Sequence, residues 1–294
     1  MIQSKKKRIS RTLKRKKKRV WKSPFDIMCF FFFLFIGIIL FFYQRLSVRQ
    51  TERDVLSLIK DQSYQVYSGL EIPEFLSKYP EQIIFHIGYT VSYNEEWRLP
   101  NWVAYELIRS EIQGKEKSAG IFSFDPDMKG ISATNKDYLH SGYDKGHLAP
   151  VADMKWNAIA MRESFYFSNI CPQHPKLNRR CWKDLEEKIR DWVIADSAIV
   201  IVCGPLVEEG AKVIGNNRVT VPQGFFKVLL SPYVSPPQAV GFIFKNEASM
   251  GSLRKYVVTV DSVETVTSMN FFKQLPDKLE NKIESQFDIS YWRL

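Results

Sequence analysis

Apolar positions are unevenly spread along this chain of 294 residues. The longest apolar run, Ile27 to Tyr43, consists almost wholly of Phe, Ile, Leu, Met and Gly, and is closed by Asp26 before it and Gln44-Arg45 after it. At the helical rise it spans about 25 Å, near the lower limit for crossing the hydrocarbon core of a bilayer. Residues 24–45 are therefore expected to form one N-terminal transmembrane helix. A cleaved signal peptide is the rival reading, but its apolar core is usually shorter, and Phe42-Tyr43-Gln44-Arg45-Leu46 offers no small-residue cleavage site. Residues 46–75 are polar with scattered Leu and Ile, then broken by prolines, and read as a stalk or linker.

From residue 76 the pattern changes. Ile83 to Tyr93 is rich in β-branched and aromatic residues and predicts a strand or hairpin, while 102–112 fits either a strand or a short helix. A polar stretch from Gln113 to Gly142 carries turn signals at Asp125-Pro126, Lys129-Gly130 and Ser141-Gly142. Phe165 to Phe167 reads as an aromatic strand ending in Asn169, followed by a Pro172-Gln173 turn. Asn178 then opens an amphipathic helix with Trp182, Leu185 and Ile189 on one face. Segments 197–206, 218–231 and 239–246 read as strands, with a hairpin-type turn at Asn216-Asn217. Residues 262–272 predict a strand edge and 277–292 a terminal helix. No internal repeat, GxGxxG or P-loop is present. The sum is one α+β domain over 76–294, with a mainly antiparallel sheet and flanking helices.

The formal charge of +10 invites a nucleic-acid reading, but its location removes that support. Of the 42 Lys and Arg, twelve lie in residues 1–23, which hold no acid, so the rest of the chain carries 30 against 32 Asp and Glu. The basic residues 1–23 form a topology signal that also attracts anionic headgroups. By the positive-inside rule they stay in the cytoplasm and the C-terminal domain lies on the far side, a bacterial periplasm fitting better than a mitochondrial intermembrane space. Cys29 lies in the apolar run. Cys171, Cys181 and Cys203 show no Cys-x-x-Cys spacing and define neither a zinc site nor a disulfide framework.

The four histidines are His86, His140, His147 and His174. His86 alternates with apolar neighbours as a structural histidine would, and His140 and His174 sit in polar loops. His147 stands apart in "SGYDKGHLAPVADM": Gly146 permits a backbone shape that aims the imidazole outward, and Asp144 could fix the backbone or the tautomer. Locally, an incidental turn histidine fits equally well. Downstream, Asn178, Glu186 and Arg190 fall at spacings of eight and four, which places a neutral oxygen, a carboxylate and a guanidinium along one helix flank. Such a set suits Mg²⁺ and a phosphate, although an N-cap followed by a solvated Glu–Arg pair explains it as well.

Together, "YDKGHLAPVADM", "FYFSNICPQ", "LNRRCWKDLE" and "VCGPL" resemble the DNA/RNA non-specific endonuclease family, over most of the segment after the linker. The resemblance implies a ββα-metal site in which His147 is the general base and Asn178 the protein ligand to Mg²⁺, with Mn²⁺ as a substitute. It also implies that Glu186 holds metal-bound water, that Asn169 supports the site, that Arg190 contacts phosphate, that Lys145 binds substrate, and that Asp144 and Gly146 provide structural support. The implied partners are DNA and RNA, cut to leave 5′-phosphate ends, with a homodimer as an open option. Two positions depart from the family pattern. Lys145 stands where Arg is usual, keeping charge but losing the bidentate fork, and Gly120 stands near a customary Arg, with Lys117 the nearest cation. A membrane-tethered nucleic-acid binding or uptake protein without catalysis is the alternative.

Overall fold

The computed structural model describes residues 69–75, 79–117, 120–248 and 251–294. The basic tail, the expected anchor and most of the linker lie outside the described residues. Among the described residues no helix is long and apolar enough to cross a membrane.

Seven antiparallel strands make the central sheet: β2 (Gln82–Phe85), β3 (Thr90–Asn94), β4 (Leu99–Ile108), β7 (Ala198–Leu206), β10 (Gly224–Ser231), β11 (Gln238–Lys245) and β12 (Val257–Val258). Their spatial order is β12-β11-β10-β7-β4-β3-β2. The expected hairpin at 83–93 is β2–β3, with Ile84 opposite Val91. The segment 102–112 resolves both ways, because β4 runs to Ile108 and passes into a single helical turn, Arg109–Ile112.

Strand alternation sorts the core into two layers. Val103, Tyr105, Ile199, Ile201, Phe225 and Leu229 face one cluster, whereas Trp102, Ala104, Val200, Val202, Phe226 and Val228 face the other. Both faces are buried, so β7 and β10 read as continuous apolar runs rather than alternating ones. The first face is covered by α2 (Lys183–Asp196), through Leu185, Ile189 and Val193, and by a separate two-stranded sheet of β5 (Asp144–His147) and β6 (Ile170–Gln173). The second face is covered by α3 (Val260–Thr267) and α4 (Asp277–Glu284), through Val260, Val263 and Ile283. A third short helix, α1 (Ala158–Glu163), is capped by the Asn157 side chain, which accepts from the backbone of Ile159 and Ala160.

Three local expectations are corrected. Phe167–Asn169 is a 3₁₀ turn and not a strand end, and Pro172-Gln173 lies inside β6 and not in a turn. Pro172 is tolerated there because β6 has a strand neighbour on one side alone, so its missing N–H breaks no second ladder. Residues 262–272 are not a strand edge: Thr259 accepts from the backbone of Ser262 and starts α3, whose Val260 and Val263 point into the core. Their β-branched composition is overridden by that cap and by burial. Only Met269–Asn270 (β13) is extended, paired with Glu74–Phe75 (β1). That pairing places Glu74 and Phe75, assigned to the linker, against the folded domain.

Candidate active site

The site is built where β5–β6 meets the start of α2. Gly146 lies so close to Gln173 that a Cβ on it would stand 2.3 Å from the Gln173 Oε1 and 2.6 Å from its Cβ. Gly is required here by close approach, which sets how β5 delivers the next residue. That residue, His147, ends the strand with its ring between Phe122 and Phe165, at centroid distances of 5.3 and 5.2 Å. Its Nε2 is buried without a hydrogen-bond partner, and the residue lines the cavity of the site.

Two groups hold the backbone on either side of that ring. The Trp182 indole N–H donates to the His147 carbonyl at 3.3 Å. Asn169, fully buried, accepts from the Ala149 N–H at 2.9 Å and donates to the carbonyls of Ala149 (2.9 Å) and Ser164 (2.8 Å). Every polar atom of its side chain is thereby used inside the fold. Asn169 does not reach the cavity; it is a positioning residue for the segment that follows His147, which fits support of the site and not contact with substrate.

Across the cavity the helical path starts at Pro175, where His174 caps the Lys176 N–H. It widens into a π turn at Asn178–Trp182 and kinks at Arg180 (φ −129°, ψ −106°) before α2 begins. Asn178 and Glu186 thus do not ride one continuous helix, and the regular angular arithmetic of the sequence reading does not hold. The cavity still gathers Asn178, Glu186 and Arg190 with His147, Arg179 and Lys183, around a volume of about 460 Å³.

The Asn178 Nδ2 donates to Asp144 Oδ2 at 3.0 Å, so Oδ1 is the atom the amide has free for a cation. Asp144 is in turn gripped by Arg179, whose Nε and Nη2 donate at 2.8 and 2.7 Å. Burial pulls the Asp144 carboxyl upward, but the hydrogen bonds from Arg179 and Asn178 outweigh it and hold the group below the usual carboxylate range. The donor set fits a hard cation: one neutral amide oxygen oriented by a fixed carboxylate, with the Glu186 carboxyl on the same wall.

Arg190 donates to Asp153 Oδ1 at 2.8 Å, and Asp153 also accepts from the Tyr105 hydroxyl at 2.9 Å. Arg190 is therefore braced from behind while it lines the cavity. Beneath this row lies Lys227, fully buried on β10, its Nζ without a hydrogen-bond partner and 4.3 Å from the centroid of the Trp182 ring. Burial drives Glu186 up to about 8; Lys227 opposes the rise, Asp153 adds to it and Arg190 opposes it. Burial, then the charge of Lys145, pushes His147 down to about 4, so its imidazole is neutral across the physiological range.

Sequence reasoning placed His147, Asn178, Glu186 and Arg190 together, and the fold brings them together. Lys145 is different. Its Nζ donates to Asn135 Oδ1 at 2.6 Å and lies 3.9 Å over the Phe122 ring, outside the group that lines the cavity. His86, read as structural, has its Nε2 3.0 Å from Asp125 Oδ2 and its ring among Tyr89 and Tyr166. Cys171, Cys181 and Cys203 are free and buried. Asp153, Arg179, Trp182, Lys183 and Lys227 were missed as site residues. The one available signal was in "FFKVLL", a lysine inside an otherwise apolar central strand.

The model of the DNA/RNA non-specific endonuclease family matches residues 67–278. The mitochondrial nuclease EXOG of Xenopus laevis is 34% identical over 207 residues, covering 65% of this chain and 58% of that protein. Human mitochondrial endonuclease G is 33% identical over 206 residues, covering 63% and 67%. A nuclease of Nostoc sp. is 29% identical over 214 residues, covering 68% and 76%. Among solved structures, the EndoG/EndoGI complex superimposes with a TM-score of 0.63 at 27% identity, over 68% of this chain and 89% of that one.

Proposed function

Because this chain belongs to the DNA/RNA non-specific endonuclease family, we propose that it is a Mg²⁺-dependent nuclease that hydrolyses DNA and RNA with little sequence preference, His147 being the general base. The carrying observation is the convergence of a buried, neutral imidazole and an oriented amide oxygen on one cavity with cationic walls. A tethered binder has no use for a histidine held neutral, so catalysis is the better reading.

The mechanism follows from what each side chain can do. The His147 imidazole takes the proton of an incoming water as its oxygen attacks phosphorus in line. The bond from phosphorus to the 3′ oxygen breaks, that oxygen takes a proton from solvent water to become a 3′-hydroxyl, the phosphate stays on the 5′ side, and His147 returns its proton to solvent. Phe122 and Phe165 keep the imidazole from being protonated beforehand. Asn178, through Oδ1, would hold Mg²⁺, with Glu186 holding a water bound to it, and the ion would supply positive charge against the non-bridging and leaving oxygens. Arg190, held in place by Asp153, faces the phosphate, and Lys183 and Arg179 border the approach. Contacts of this kind are to the phosphate backbone and carry no base information.

The protein acts, in this reading, beyond the membrane that its N-terminal segment crosses, with residues 1–23 in the cytoplasm and the folded unit in an extracytoplasmic space; the basic residues before the apolar run support it. The test is degradation of plasmid DNA and of RNA by the full-length chain in Mg²⁺, its loss in EDTA, and its loss in His147→Ala and Asn178→Ala. Undiminished rates in His147→Ala would refute the assignment of the base. Binding of both polymers without cleavage in Mg²⁺ or Mn²⁺ would favour the tethered binder.

A further inference from the structure

Outside the His147 cavity, α3 and α4 pack against each other over β11 and each carries a pair of acids one turn apart. Asp261 and Glu264 lie on α3, and Glu280 and Glu284 on α4. Like charges at these spacings destabilise a helix, and here the pairs also meet. The carboxylate oxygens of Asp261, Glu264 and Glu284 lie within 4.8 Å of one another.

Glu284 gives the cluster its meaning. It is 5% exposed, and its Oε1 is buried without a hydrogen-bond partner. Glu264 spends Oε1 on the Phe271 N–H at 2.9 Å, leaving its other oxygen for the cluster. Among the described residues, none of the four acids is in an ion pair with Lys or Arg. Burial and the charges of Glu264, Glu280 and Asp261 push Glu284 up to about 9. A buried carboxyl oxygen without a partner, set among acids, is where a cation would supply the missing counter-charge and let the group ionise.

We propose that Asp261, Glu264 and Glu284 form a second metal site that binds a hard divalent cation of the calcium class and clasps α3 to α4. The chemistry selects the ion. All donors are carboxylate oxygens, with no nitrogen or sulfur to favour zinc or copper. Three carboxylates on two separate helices suit calcium, which takes six to eight oxygens in irregular geometry. Magnesium demands a near-octahedral shell and keeps most of its waters. Glu280 adds negative charge at the rim.

The experiment is thermal melting of the full-length chain after washing with EDTA, with and without CaCl₂. Wild type is expected to gain roughly 5–10 °C in Tm at a hundredfold excess of calcium over its Kd. Asn178→Ala, which disables the proposed catalytic metal position, keeps that gain. Glu284→Gln loses it, and so does the double variant Asp261→Asn/Glu264→Gln, whose more exposed positions tolerate exchange. In EDTA at neutral pH, Glu284→Gln melts close to wild type, because burial and the neighbouring acids already keep Glu284 protonated; in calcium it melts below wild type. The proposal is overturned if calcium leaves the wild-type Tm unchanged, if the gain survives in both carboxylate variants, or if Asn178→Ala abolishes it. An equal gain from MgCl₂ in Asn178→Ala would overturn the calcium assignment.

Discussion

Asp144 sits behind the proposed metal ligand, and replacing it tests what orients that ligand. In Asp144→Ala, Asn178 loses the acceptor of its Nδ2 and Arg179 loses both of its bonds. Arg179 is mostly exposed, so the ion pair adds little stability and the fold should persist. The consequence falls on the amide. Freed of its tie, the side chain can flip, which halves the competent population, and can leave its staggered well for the other two, which brings the loss to about sixfold. Losing the negative charge behind the cation adds a smaller factor. Apparent Mg²⁺ affinity should drop roughly tenfold, at the low end of what supporting residues of metal sites contribute.

Asp144→Asn separates the two causes, because it keeps an oxygen that can accept from Asn178 but carries no charge. It should weaken Mg²⁺ by about two- to threefold, since the orienting bond survives. Arg179→Ala leaves both the Asp144–Asn178 bond and the Asp144 charge in place and removes a nearby positive charge, so Mg²⁺ affinity should hold or rise slightly. The assay is the Mg²⁺ concentration giving half-maximal nicking of plasmid, read beside the Tm of each variant. If Asp144→Ala matches wild type within twofold, orientation by Asp144 is not what makes Asn178 a ligand. If Asp144→Asn is as weak as Asp144→Ala, charge and not geometry is responsible.

The remaining predictions concern the histidine and the residues packed around it. At saturating Mg²⁺, whose charge would keep Glu186 ionised although burial alone raises it to about 8, kcat/KM should be flat from neutrality to about pH 5 and fall through a midpoint near 4, to which His147 is pushed down; a midpoint at the unperturbed value of about 6.5 refutes the buried-base reading. The unfolded chain binds this proton below about 6.5 and the folded chain only below about 4. Stability is therefore full above that window and lost as pH falls through it, by at most about 3 kcal/mol, less for the solvent on the open edge of the ring. Melting at pH 7 and pH 5 should differ more for wild type than for His147→Asn. Gly146→Ala drives a Cβ into buried Gln173 and should destabilise by about 1–3 kcal/mol while lowering the rate; Gln173→Ala in the same chain should restore part of both, and no restoration would show the clash lies elsewhere. Lys227→Met removes a buried, unpartnered ammonium, so Tm should hold or rise, while activity falls and the Mg²⁺ needed for half-maximal rate rises as Glu186 keeps its proton; unchanged activity would make Lys227 a packing residue only.

The fold was legible where composition alone decides. Segments 197–206, 218–231 and 239–246 are too apolar to be anything but central strands once their length excludes long helices, and they are β7, the stretch from β9 (Val219–Thr220) through β10, and β11. Their order in the sheet was not legible, because β4 pairs with β7 across a gap filled by the whole β5–β6 region. Local propensity failed at 262–272, where Thr259, one capping hydroxyl, and two buried valines chose helix over strand. It failed again at Phe167–Asn169, where aromatic packing around Phe122 holds the chain in a turn that the residue types do not encode.

The site shows the same division at closer range. His147, Asn178, Glu186 and Arg190 could be named because each has a side chain whose chemistry a metal-assisted hydrolysis needs, and because ordered motifs fixed their spacing. Asp153, Trp182 and Lys227 could not, since they act through contacts that no local pattern carries: Asp153 meets Arg190 over 37 positions and Trp182 meets His147 over 35. Yet they decide how the named residues behave. Trp182 fixes the backbone of the base with its N–H and covers Lys227 with its ring, so one indole ties His147 to the buried charge that opposes protonation of Glu186. Lys145 shows the converse. Its place in the motif suggested a hand on substrate, but its ammonium is engaged by Asn135 and Phe122, and its nearest service to the reaction is its positive charge beside His147, which helps keep the imidazole neutral. An Arg at this position would carry the same charge on a longer, planar fork, so Lys145→Arg tests whether the charge or the reach matters. If the charge suffices, the pH midpoint stays near 4 and the rate changes little; a large gain in rate with an unmoved midpoint would mean that Arg grips phosphate where Lys145 does not.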